Sequence, residues 1–205
     1  MAVLKHGING PFSGKVGSVV GTTWKGIDII RSRPKAPTSF SDLQLANQMR
    51  MTMVQDFLRQ LIEPLRIGFR DDSILPAAYH SAVSYHKKFA IAGEYPNLFI
   101  DLPNVKIAQG MLWIPEEITM QNDDAHIELT WSADLEDNAR GDDQLLVVLW
   151  DETKQAAQYS LQAYRSAGEF VWEPASQTVG GHVWAAFVRQ DRTMQSESRY
   201  LGVLG

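Results

Sequence analysis

Hydrophobic and polar positions change their spacing twice along the chain. Residues 1–40 are broken by Gly7, Gly10, Pro11, Gly14, Gly17, Gly21 and Gly26, then by Pro34 and Pro37. Between the breaks, 16–20 and 22–33 are rich in β-branched and aromatic residues, which favour strands. A β-hairpin of two strands meeting near Gly21 is the expected arrangement. Alternation puts Ile27 and Ile29 on one face of the second strand and Trp24, Asp28 and Ile30 on the other. A lone hairpin is marginal in water, so this one must lean on further structure.

From Ser41 the spacing becomes helical. Leu45, Met49, Met53, Phe57 and Leu61 recur every four residues, and Val54, Leu58 and Ile62 widen the stripe. Ser41 and Gln44 fit a capping box, and Pro64, which lacks the next helical donor, ends a predicted helix over 41–63. The cluster Met49, Met51 and Met53 reads as core filling on that helix. A second helix is predicted over 76–91. Pro76 suits its first position, Lys87 and Lys88 its C-terminal turn, and Gly93 a left-handed cap. Residues 94–104 read as a connector.

From Val105 the period drops to two. Strands are predicted at 105–114, 126–132, 144–151, 157–164, 170–173, 182–190 and 198–203. Turn-forming clusters such as Asn122-Asp123-Asp124, Ser166-Ala167-Gly168 and Gly180-Gly181 separate them. Ile127, Leu129 and Trp131 alternate with His126, Glu128 and Thr130, as in a strand buried on one side. The predicted fold is α+β. An N-terminal β-hairpin and two helices occupy residues 1–103, and an immunoglobulin- or fibronectin-like β-sandwich of about seven strands occupies 104–205. Trp113, Trp131, Trp150, Trp172 and Trp184 fall in the second part, as core or strand-face residues.

Composition narrows the chemistry. A chain that is 44% hydrophobic and 21% charged has enough apolar surface for a core. With no cysteine, disulfides and thiolate metal sites are excluded. The first residues lack a secretory apolar run, and no stretch reaches the ~18 apolar residues of a membrane helix. A soluble product without membrane insertion, cytoplasmic by default, is the expectation. The net charge of −5 is unevenly laid out. Residues 1–70 hold ten Lys/Arg against four Asp/Glu, and residues 71–205 hold nine against twenty. Such opposed halves attract each other or a neighbouring copy.

Three stretches carry a family resemblance. They are Ser13-Gly-Lys-Val-Gly-Ser-Val-Val-Gly-Thr-Thr-Trp-Lys-Gly-Ile-Asp28, Tyr85-His-Lys-Lys-Phe-Ala-Ile-Ala-Gly-Glu-Tyr-Pro-Asn97 and Ser196-Glu-Ser-Arg-Tyr-Leu-Gly202. Together the chain resembles a family of uncharacterised Bacteroidota proteins, classed as a domain of unknown function, over nearly its whole length. The resemblance implies an N-terminal hairpin, a helical middle and a β-rich end, and brings no activity with it. Ala36-Pro37-Thr38-Ser39 departs from the Asn-Pro-x-Thr-like element of that family.

The reactive residues form no known catalytic pattern. His80 and His86 are six apart on one predicted helix and point away from each other, so they make no helical metal pair. His126 and His182 lie on predicted strands without a carboxylate at ligand spacing. No Gly-x-Ser-x-Gly elbow occurs, and Gly14-Lys15-Val16 lacks the glycine and Ser/Thr of a phosphate loop. Asp123-Asp124 and Asp142-Asp143 lack calcium-loop spacing and read as solvated turn acids. No cofactor or metal is expected.

The candidate partner-binding residues are Lys15, Trp24, Lys25, Arg31 and Arg33, which with Lys35 mix cations and an aromatic. The leading expectation is a non-catalytic structural or protein-interaction protein that self-assembles through the N-terminal hairpin, whose edges stay open for pairing. The alternatives are a carbohydrate- or other ligand-binding face on the sandwich, marked by two or more exposed tryptophans, and weak nucleic-acid binding by the basic segment.

Overall fold

A computed structural model describes residues 2–3, 10–70, 77–123, 126–175 and 180–205. These divide into two compact units, Met1–Ser41 and Asp42–Gly205.

The N-terminal unit is an antiparallel sheet of β2 (Gly14–Val16), β3 (Val19–Trp24) and β4 (Ile27–Ser32), with the two-residue β1 (Ala2–Val3) on the free side of β4. It has two strands more than the expected hairpin, and the turns fall elsewhere. Gly17-Ser18 joins β2 to β3, and Lys25-Gly26 joins β3 to β4. Lys25 has φ +50° and Gly26 φ +77°, the left-handed pair that matches strand twist in a two-residue hairpin turn. Gly21 is therefore a mid-strand residue. A Cβ there would lie 2.2 Å from the Phe12 carbonyl oxygen and 2.8 Å from the Phe12 ring, so its bare backbone lets Phe12 lie across the strand. The turn also pairs Trp24 directly with Ile27. Trp24 thus shares a face with Ile27 and Ile29, and not with Asp28 and Ile30, because two turn residues reset the alternation.

The C-terminal unit begins with α1 (Asp42–Arg59), α2 (Ile62–Gly68) and α3 (Ala77–Phe89). One helix over 41–63 was predicted, but the break comes earlier. Pro64 has no N–H for the carbonyl of Gln60, and its ring would crowd that carbonyl, so α1 ends at Arg59. Pro64 then sits in the first turn of α2, where no intrahelical donor is needed. Pro76 lies outside the described residues. The expected connector after α3 is instead a hairpin, β5 (Ile91–Glu94) with β6 (Asn97–Ile100), turning through the cis Tyr95-Pro96 bond. Gly93, at φ +85°, belongs to that hairpin rather than to a helix cap.

Seven further strands follow: β7 (Ile118–Asn122), β8 (Ile127–Trp131), β9 (Gln144–Asp151), β10 (Ala156–Ser160), β11 (Glu169–Trp172), β12 (His182–Val188) and β13 (Arg199–Val203). They form two antiparallel sheets, ordered β10-β9-β12-β13 and β11-β8-β7. The strand predicted at 105–114 is absent. Val105, Ile107, Ala108 and Leu112 are buried, but hydrogen bonds hold this stretch irregular: Ile107 N–H to Ser198 Oγ (2.9 Å), Gln109 N–H to the Gly68 carbonyl (2.9 Å) and Leu112 N–H to the Gln195 carbonyl (2.9 Å). The first strand of the series is β7, which was not predicted.

The β9–β12 pair lies at the centre of this unit. Leu145, Val147, Leu149, Val183, Ala185 and Phe187 pack with Ile127, Leu129, Trp131 and Trp172 of the β11-β8-β7 sheet. Leu146, Val148, Trp150 and Trp184, one step out of phase, pack with Val54, Phe57, Leu58, Leu61 and Leu65 of the helical segment. Burial on both faces accounts for the unbroken apolar run of β9. At ~1.5–3 kcal/mol for each large side chain fully buried, these two layers dominate the stability of the unit. The helices therefore share a compact unit with the strands, and the change of period at Val105 falls inside it.

Candidate functional site

The N-terminal sheet carries all five candidate partner-binding residues, and all five are exposed. Lys15 stands opposite Val20, and Val20 opposite Arg31, so one row crosses β2, β3 and β4. Trp24 occupies the same face at the turn end, with the Lys25 Nζ 5.1 Å from its ring centroid. Arg33 lies one residue beyond β4, where its N–H donates to the Ser18 carbonyl at 2.8 Å. The sheet thus gathers Lys15, Arg31, Trp24 and Lys25 and leaves Arg33 at its margin. Three large apolar side chains are exposed on the same face, Val3, Trp24 at 59% and Ile27 at 46%, while the exposed Val16 lies on the opposite face with Val19. Strand β2 is one edge of the sheet and the two-residue β1 the other.

The C-terminal unit has a cleft of about 750 Å³ between α1, β6 and the end of β9. Met49, Met53, Phe57, Phe99, Leu102 and Trp150 supply its apolar lining. Trp150 Nε1–H donates to Gln60 Oε1 (2.6 Å), and Gln60 Nε2–H donates to Gln155 Oε1 (2.9 Å). Asp56 and Glu152 add two acids. Met49 and Met53, read from sequence as core filling, are half-buried and open to this cleft. Sequence spacing could not assemble it, because its walls come from stretches about 50 residues apart joined only by tertiary folding.

Among the described residues, a second hollow of about 650 Å³ holds Trp113 with Glu116, Glu117, Asp134 and Glu136. Trp150, Trp172 and Trp184 are buried, and Trp113 and Trp150 line different hollows. Trp113 shares its hollow with Trp131, which is buried.

The described histidines are held apart from one another. His6 lies outside the described residues. His80 is exposed, whereas His86 is buried; its Nδ1–H donates to the Ala82 carbonyl (2.7 Å) and its Nε2 accepts the Lys106 N–H (3.3 Å). Burial pushes the His86 pKa from 6.5 down to about 4, with both backbone bonds opposing. His126 does have carboxylates nearby, brought by folding: Asp123 at 3.1 Å and Glu173 at 3.2 Å. The ring of His182 stacks on Tyr200, whose hydroxyl lies 2.8 Å from its Nδ1.

Asp143, read as a solvated turn acid, is fully buried. Its Oδ2 accepts from Arg165 Nε at 3.3 Å and from the Arg140 N–H at 2.8 Å, and its Oδ1 lies 3.6 Å from Arg189 Nε. Arg165 is also fully buried, its guanidinium 3.9 Å from the Phe187 ring centroid and its Nη2–H bonded to the Trp113 carbonyl at 2.8 Å. Burial lowers the Arg165 pKa, and Asp143 pulls it back. This cluster ties the loops before β7 and β9 to those after β10 and β12. Asp124, also read as a solvated turn acid, lies outside the described residues. Among the described residues no three His, Asp or Glu side chains gather as metal ligands.

The molecule is a mixed α+β protein with a small, open N-terminal sheet and a layered helical and antiparallel C-terminal unit. Among the described residues no helix is long and apolar enough to cross a membrane. The chain belongs to a family of unknown function, DUF6266, whose profile matches residues 11–202. Comparison with curated proteins finds no match, and comparison with solved structures finds none.

Proposed function

We propose that this is a non-catalytic protein-interaction protein that self-associates through its N-terminal sheet. The observation that carries this reading is the group of exposed apolar side chains Val3, Trp24 and Ile27, on one face with Lys15 and Arg31 and beside Lys25, in a sheet with β2 at one edge. Apolar side chains clustered beside an open ladder and rimmed by charge favour association over solvation. Residues 1–41 hold six Lys/Arg against one Asp, and residues 42–205 hold thirteen against twenty-three Asp/Glu. That opposition favours a head-to-tail contact between copies.

We read the two C-terminal sheets as the halves of a fibronectin-like sandwich that serves as scaffold. Support comes from the division of the seven strands into β11-β8-β7 and β10-β9-β12-β13, with one apolar core between the inner faces.

Sedimentation velocity over a wide concentration range tests the functional reading. The expected result is a concentration-dependent oligomer that weakens with added salt and is lost on Trp24→Ser. A strict monomer at the highest concentration refutes it.

A further inference from the structure

We propose that the β3–β4 turn of one copy inserts into the α1–β6–β9 cleft of a second copy. This rests on the self-association reading and adds the receiving site. The turn presents Trp24 and Ile27 side by side, because they are direct cross-strand partners, and carries Lys25 over the indole. Nothing lies within 4 Å of a Cβ built on Gly26, so the tip is slender as well as apolar.

The cleft matches this tip in three respects. Its volume of about 750 Å³ accommodates an aromatic side chain, which buries ~150–250 Å² on docking, together with a smaller aliphatic one. Its apolar lining includes Met49 and Met53, whose flexible thioethers adapt to an inserted ring. Its two acids, Asp56 and Glu152, oppose the cation that accompanies Trp24. Among the described residues, Asp56 is paired with Arg59 at 3.7 Å between exposed side chains, a weak pair to displace. A buried tryptophan with a flanking cation is the kind of anchor that dominates interface energy.

Tip and cleft are different surfaces, so the contact is heterologous: each copy gives one tip and receives one. Mixing separates the two surfaces. Trp24→Ser removes the tip, while Phe99→Glu and Asp56→Lys each spoil the cleft at exposed positions. Sedimentation velocity is expected to show each variant alone associating at least tenfold more weakly than the wild type, with an unchanged thermal midpoint. An equimolar mixture of the Trp24→Ser and Phe99→Glu proteins is expected to form a one-to-one heterodimer that grows no further, because one intact tip meets one intact cleft. If Trp24→Ser abolishes association while Phe99→Glu and Asp56→Lys associate like the wild type, the cleft is not the receiver and the self-association reading stands. If the single variants weaken association but the mixture stays monomeric, the head-to-tail insertion is overturned. If Trp24→Ser associates like the wild type, insertion and hairpin-mediated association fall together.

Discussion

The β3–β4 hairpin and the β9–β12 pair are both antiparallel ladders rich in apolar residues, but their surroundings differ. In β9–β12 each face is covered, one by the helical segment and the other by the β11-β8-β7 sheet. In β3–β4, Trp24 and Ile27 stand in solvent. An indole at Trp184 is therefore part of the folding energy, whereas the same group at Trp24 contributes little until something covers it. Burial, rather than residue type, decides whether an aromatic side chain stabilises the fold or is free for association.

The sharpest test is to remove one indole from each ladder. Trp184→Ala, at a fully buried position, should cost about 4 kcal/mol in denaturant unfolding. Trp24→Ala should stay within about 0.5 kcal/mol. A large loss at Trp24 would mean that its ring is part of a core.

Next comes the buried charge cluster. Asp143→Ala leaves Arg165 buried without its carboxylate and should cost about 3 kcal/mol. Asp28→Ala in the open sheet, where the carboxylate accepts an exposed Thr23 hydroxyl bond, should change stability far less. Thermal unfolding of the two variants side by side gives the contrast.

Acid separates the regions in another way. Unfolded His86 takes up a proton as pH falls through 6.5, while the folded ring stays neutral until about 4. Stability is fully retained above 6.5 and should fall by about 3 kcal/mol across that window. Denaturant midpoints measured along the descent should show this loss, and His86→Gln should flatten it.

The smallest effect belongs to the hairpin turn. Gly26→Ala meets no neighbour but must hold φ +77°, so it should cost about 1 kcal/mol. Hydrogen exchange should quicken in β3 and β4 while β9 and β12 keep their protection.

How much of this was legible in the sequence varied with the kind of signal. Strand β9 was readable to the residue, because an apolar run bounded by turn residues has few other uses. Helix α1 was readable from its four-residue stripe, but its end was not: Pro64 acts on the carbonyl four residues before it, so the break precedes the proline. The stretch 105–114 looked like a strand because its apolar residues are buried, yet side-chain and loop partners took its hydrogen bonds. The candidate residues of the N-terminal sheet were legible as cations near an aromatic. Their shared face was not, since it depends on the turn falling at Lys25-Gly26 rather than at Gly21. The cleft was invisible, because its walls meet only after the helices have docked. Asp143 was misread for the same reason: Arg165 and Arg189 arrive from distant loops.

The contact of Phe57 with Trp150, rings 5.2 Å apart, also has a timetable. During synthesis about 90 residues must emerge between these two partners, which at ~5–20 residues per second takes roughly 5–20 s. Throughout that interval the apolar stripe of α1 is on the nascent chain without the strand that will cover it. Within its unit the helical layer is made first, and its unprotected period on the ribosome is set by how far down the chain β9, and after it β12, lie.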